Sequence, residues 1–109
     1  MKVVIVGCGK VGKTIAEELV KENHDIILID ENAELVEDVS NSLDIIGVVG
    51  NGASLNILKE AVIETADVLI AVTSADEINM LCCLFAKKAN KDLKTIARVR
   101  NPIYSSELS

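Results

Sequence analysis

The stretch "VVIVGCGKVGKTIAEELV" at residues 3–20 limits what this chain can fold into more than any other. Val3–Val6 is a continuous β-branched run, the pattern of a strand buried on both faces. From Val11 the apolar residues take up helical spacing, with Val11, Ile15, Leu19 and Val20 near one face and Lys13, Glu17, Glu18 and Lys21 on the others. Gly7, Gly9 and Gly12 lie at the junction in the pattern G-x-G-x-x-G. Alone that pattern is weak; between a strand and a helix it has a mechanism. Gly7 permits a tight turn, Gly9 leaves the backbone open to a pyrophosphate, and Gly12 lets the helix pack close to the sheet. The helix N-terminus offers unpaired N–H groups and a partial positive charge to an anion.

The rest of the chain repeats the alternation. Ile26–Ile29 reads as a second strand, closed by Asp30-Glu31-Asn32. Leu35, Val36, Val39 and Leu43 line a second helix, and Ile45–Val49 is a third strand. "GNGAS" is a turn, and Ser54 is placed to cap a short helix reaching about Ala61. Asp67–Val72 is a fourth strand, and Ser74 or Asp76 is placed to cap the helix that runs to Ala89. Thr95–Val99 is a fifth strand, Arg100-Asn101-Pro102 a turn, and Tyr104–Leu108 the start of another helix. Repeated right-handed crossovers of this kind give an α/β, Rossmann-type open parallel sheet with helices on both faces. The expected strand order is 3-2-1-4-5, with a sixth strand missing, so that residues 1–109 read as one domain of a longer chain. Ligands bind beyond the carboxyl ends of the strands where the order reverses, here between strands 1 and 4.

Composition agrees. Half of the 109 residues are hydrophobic, but there is one Phe, one Tyr and no Trp, so aliphatic side chains must fill the core. The net charge of −6 argues against a nucleic-acid surface. No apolar run reaches the roughly 18 residues of a membrane helix. Cys8, Cys82 and Cys83 fit neither a disulfide framework nor a zinc site, which points to a reducing, cytoplasmic setting.

The distinctive residues gather in the loops after the strands. Asp30 ends strand 2 eighteen residues after Gly12, where a carboxylate can bind both hydroxyls of an adenosine ribose and repel a 2′-phosphate. The alternative is that Asp30 caps the next helix. Asn51, between Gly50 and Gly52, sits where an adenine edge would lie, or forms a plain turn. Thr73 and Ser74 end strand 4 across the crevice from Gly7, near the pyrophosphate and the second ribose. Arg98 and Arg100 share a face by strand alternation; Arg98, nearer the crevice, is placed to meet phosphate or a terminal carboxamide, and the alternative for either arginine is a solvated charge. The Cys8 thiol is either activated by the helix N-terminus or small-residue filler; Cys82 and Cys83 read as core. His24 falls at the opposite end of the sheet. Tyr104 is followed four residues on by Leu108, not by the lysine of a proton-transfer pair.

Together "VVIVGCGKVG", "IILIDEN", "VVGNGAS", "ADVLIAVTSADEINMLCC" and "IARVRNP" resemble the nucleotide-binding N-terminal (KTN or RCK) domain of the TrkA family, over essentially the whole chain. The last two blocks carry most of the specificity. The family usually has Asp at the position of Asn51. The resemblance implies a cytoplasmic regulatory subunit at the inner face of the membrane that binds NAD(H), with ATP or ADP as variants. It implies a membrane potassium transporter (TrkH/TrkG-like) as partner, self-association, and no catalysis. It implies ligand contacts from Gly7, Cys8, Gly9, Lys10, Val11, Gly12, Asp30, Glu31, Asn51, Gly52, Ala53, Thr73, Ser74 and Arg98. The apolar helix Ile78–Ala89 is either an interface with a second copy or is covered by the chain itself. Two other classes compete. A dehydrogenase missing its substrate domain would need a His, Lys or Tyr acid/base, and a methyltransferase-like fold would not need this glycine spacing.

Overall fold

Side chains alternate across the first strand, and that alternation sets the layers. Val3 and Ile5 enter one buried cluster, Val4 and Val6 the other. The computed structural model describes residues 1–104. Along it run β1 (Lys2–Val6), α1 (Lys10–Lys21), β2 (Asp25–Asp30), α2 (Ala33–Leu43), β3 (Ile46–Val49), α3 (Leu55–Glu60), a 3-10 turn (Ile63–Thr65), β4 (Val68–Ala71), α4 (Asp76–Ala89) and β5 (Lys94–Ala97). The strands form one parallel sheet in the order β3-β2-β1-β4-β5, as expected.

The two faces are covered by different helices. Ile15, Leu19 and Val20 of α1 and Val39 and Leu43 of α2 pack on Val3, Ile5, Ile26 and Leu28. Leu58 of α3 and Cys82 and Ala86 of α4 pack on Val4, Val6, Ile27, Ile29 and Leu69. Ile5, Leu28, Ile29, Leu58 and Leu69 are fully buried, each worth about 1.5–3 kcal/mol of transfer from water.

Local chemistry ends the helices. Asn23 takes a left-handed conformation after α1, and the Asn23 and His24 N–H groups donate to the Val20 and Leu19 carbonyls, a Schellman arrangement. Asn32 caps α2 by accepting from the Leu35 N–H at 3.1 Å. Two expected caps are corrected. Ser54 occupies the N-cap of α3 but its hydroxyl makes no capping bond. Neither Ser74 nor Asp76 caps α4, whose N-cap is Ala75. The fifth strand is also shorter than expected, ending at Ala97. Residues 102–104 are helical; the remainder of the helix expected over Tyr104–Leu108 lies outside the described residues.

Val62 carries strain. It has a φ of +53° and is 42% exposed, and a β-branched residue is an outlier in the left-handed region. Val62→Asn is expected to raise the free energy of unfolding by about 1 kcal/mol, read from urea denaturation. An unchanged midpoint would mean that packing of the valine methyls offsets the backbone cost.

Candidate functional site at the strand carboxyl ends

β1 stops at Val6 because the chain turns sharply there. Gly7 has a φ of +115°, and its N–H donates to the Ile29 carbonyl at 2.8 Å. A β-carbon on Gly12 would lie 1.7 Å from the Gly7 carbonyl oxygen, so α1 sits directly against the turn. At Gly9 a β-carbon would meet nothing within 4 Å. Two of the three glycines are thus required by the protein's own packing, and the third faces open space. Gly9 is the N-cap of α1, and neither a side-chain cap nor an acidic residue occupies the first turn. The first-turn N–H groups are left for an external anion.

Around this point lies a cavity of about 770 Å³, well within the range of small-molecule sites. Gly7, Gly9, Lys10 and Val11 form its centre. Asp30, Glu31, Asn32 and Leu35 line the β2 side, with Gly50, Asn51 and Gly52 from beyond β3. Thr73, Ser74, Ala75, Ile78 and Arg98 line the β4–β5 side. Carboxylates therefore stand on one side, and the cations Lys10 and Arg98 at the centre and on the other. Of the residues expected here, Cys8, Gly12 and Ala53 are not in the wall. Apolar Val11, Leu35 and Ile78 are in it, and sequence reading had placed only Val11 there.

Asp30 is held ready on the β2 side. Its Oδ2 accepts the Cys8 N–H at 2.8 Å and its Oδ1 accepts the Asn32 N–H at 2.9 Å. A carboxylate has about four lone-pair sites, so acceptor capacity remains for two hydroxyls. The cap of α2 is Asn32, which removes capping as the alternative role of Asp30. Cys8 itself is 2% exposed. Burial, and then the charge of Asp30, push its thiol up, while Lys13 acts in the opposite sense. The filler reading holds, and helix activation of the thiol does not. Burial likewise pushes the Cys82 thiol up to about 12 and raises that of Cys83, as fits core positions.

Asn51 folds into its own turn, accepting the Ala53 N–H on Oδ1 at 2.9 Å. Asp would accept that bond equally well, so the departure from the family pattern leaves the turn intact and adds an amide donor. The bareness of Gly52 serves packing, since a β-carbon there would come within 2.4 Å of Val6.

On the β4 side Thr73 is a tethered residue. Its N–H and hydroxyl both donate to Asn79 Oδ1, at 2.8 and 2.7 Å. Arg98 leaves β5 with its N–H on the Ala71 carbonyl at 2.9 Å, and it lines the crevice. Arg100 does not share that role. Its guanidinium donates to the Ser74 carbonyl at 2.7 Å, and its N–H donates to Asp76 Oδ1 at 3.0 Å. Asp76 Oδ2 accepts the Asn101 N–H at 2.7 Å, and the Tyr104 hydroxyl donates to Glu77 at 2.8 Å. The two backbone bonds, with smaller help from Arg100 and Arg98, hold the Asp76 carboxyl below the usual range, and the Glu77 bond raises the Tyr104 phenol. These contacts clasp the stretch after β5 to the first turn of α4. Sequence reading named Asp76 only as a candidate cap and missed Asn79. The signal for Asn79 was an amide three and seven residues before the buried Cys82 and Ala86, on one helical stripe.

An open parallel sheet with a bare glycine loop at its switch point and a carboxylate closing the next strand defines the class of Rossmann-type nucleotide-crevice domains. Residues 3–109 match the TrkA-N domain model, and the chain belongs to that family. It is 40% identical over 107 residues to a Trk system potassium uptake protein TrkA of Vibrio alginolyticus, covering 98% of this chain and 23% of that protein. The chain therefore spans about a quarter of the length of such relatives. The fold is similar to that of the TrkA-N domain of the inner membrane protein ybaL from Escherichia coli, with a TM-score of 0.88 and 25% identity over 97% of this chain and 80% of that one. It is also similar to the GsuK channel bound to NAD, with a TM-score of 0.84 and 20% identity over 98% of this chain and 19% of that one.

Proposed function

We propose that this chain is a nucleotide-sensing regulatory domain of a potassium uptake system, with NAD(H) in the crevice and ATP or ADP as alternative ligands. The observation that carries the reading is the open approach at Gly9 to an uncapped helix N-terminus, with Asp30 beside it. The pyrophosphate lies on the α1 N–H groups, the adenosine ribose on Asp30, and the adenine near Asn51. The second nucleoside lies toward Thr73–Ser74, with Arg98 near the phosphates. Kinship with Trk potassium uptake proteins supports a membrane potassium transporter as the partner, reached from the cytoplasmic side. Among the described residues no helix is long and apolar enough to cross a membrane.

The role is conformational, not catalytic. Nucleotide biases the packing of two or more such domains, and that packing biases a transporter gate, which requires different affinities for the two states. Leu81 and Leu84 of α4, exposed together with Ile96 of β5, offer an apolar face for a second copy. Of the His, Lys or Tyr that a hydride-transfer site would need, the described wall includes Lys10 at the glycine loop, and His24 lies in a separate groove with Lys2 and Asp44.

Thermal denaturation of the purified domain with NADH, NADPH and ATP tests the reading. NADH at 100 times its Kd is expected to add about 2.7 kcal/mol, with little effect from NADPH. Strong stabilisation by NADPH would overturn the role of Asp30. Silence with all three would overturn the nucleotide reading.

A further inference from the structure

Asn79 is 0% exposed, the one buried polar residue among those described. Its Oδ1 accepts the Thr73 N–H and hydroxyl, and its Nδ2 donates to the Thr73 carbonyl at 3.1 Å and the Arg98 carbonyl at 2.9 Å. All four hydrogen-bonding positions of the amide are filled. The β4–β5 ladder ends at the Ala71–Ala97 pair, followed by the Arg98 N–H on the Ala71 carbonyl. Beyond it Asn79 joins the strand ends at Thr73 and Arg98, and the Arg100 guanidinium on the Ser74 carbonyl joins them one step further on.

A core stripe between sheet and helix is ordinarily apolar, because an amide left unpaired there is costly. This amide instead ties together the two segments that form the far wall of the crevice. Resting on the nucleotide reading above, we propose that Asn79 is a positioning residue. It fixes the Thr73–Ser74 lip and Arg98 at one separation, so that the half of the crevice receiving the second nucleoside is preformed. It acts only through Thr73 and Arg98. The half that receives adenosine, built from Asp30 and Gly50–Gly52, does not depend on it.

The test compares NADH and AMP binding by calorimetry, well below each variant's melting temperature. Asn79→Asp keeps the acceptor for Thr73 but as a carboxylate cannot donate to Arg98. NADH is expected to bind about tenfold more weakly at neutral pH, with AMP affinity close to that of the parent. As pH falls and the buried carboxyl takes up a proton, it regains a donor, so NADH affinity should recover toward the parent's, measured at the same pH. Asn79→Ser, whose hydroxyl can bond the Ala75 carbonyl one turn back, gives the same comparison if the carboxylate variant does not fold. Parent-like NADH affinity in a folded variant, or equal loss of NADH and AMP, would overturn the proposal. A parent that binds AMP but not NADH would instead overturn the dinucleotide reading beneath it.

Discussion

Gly12→Ala is expected to lose about 3 kcal/mol or more of folding stability, measured by urea denaturation. The added methyl would stand 1.7 Å from the Gly7 carbonyl oxygen and 2.8 Å from its carbon, both backbone atoms. No side-chain rotamer can relieve that overlap; α1 or the glycine turn must move. Overpacking of a well-filled interior ordinarily costs about 1–3 kcal/mol, and here the obstacle is rigid. Against a total stability of about 5–15 kcal/mol this is a large fraction, and nucleotide affinity is expected to fall with it because the displaced helix carries the N–H groups proposed to bind the pyrophosphate. Gly9→Ala supplies the contrast. Its methyl meets nothing within 4 Å, so stability should stay within about 0.5 kcal/mol while NADH binding weakens, since the methyl enters the space left for phosphate. If Gly9→Ala binds NADH as the parent does, the pyrophosphate is not at this loop.

Asp30→Ala is expected to weaken NADH binding about 100-fold, close to 2.7 kcal/mol, as two hydrogen bonds from ribose hydroxyls to a charged acceptor are lost. A second effect accompanies it. The Cys8 N–H loses its acceptor, so the glycine loop loses one of its ties to β2. Asp30→Asn separates the two roles, because an amide oxygen can still accept from Cys8 while the negative charge is gone. That variant should bind NADPH relatively better than the parent does, as repulsion of a 2′-phosphate disappears. Calorimetric titration of both variants with NADH and NADPH reads these outcomes. Parent-like affinity in Asp30→Ala would restrict the carboxylate to bracing the loop.

The features legible in the sequence are those encoded over a few residues. β-branched runs marked β1 and β2, helical spacing marked α1 and α2, and the glycine pattern located the turn between β1 and α1. Strand order followed because crossover handedness leaves few topologies open. What escaped depends on partners far along the chain. Asn79 looks like an ordinary polar residue until Arg98, nineteen positions later, is brought over it. Asp76 looked like a cap until Arg100 and Asn101 turned back upon it. Arg98 and Arg100 were assigned a common face by an alternation that applies only inside a strand, and β5 ends before either. Thr73 lines the crevice, and the sequence does not reveal that its two donors are also engaged by Asn79.

The clasp on the first turn of α4 has a mechanical corollary. Ser74 sits in the crevice wall and, through its carbonyl, also holds the guanidinium of Arg100. Asp76 and Glu77 fasten the next few residues to the same turn. A ligand that nudges this lip is expected to carry residues 100–104 with it as a lever moves about its pivot, because so short a linkage has no slack in which the movement could be lost.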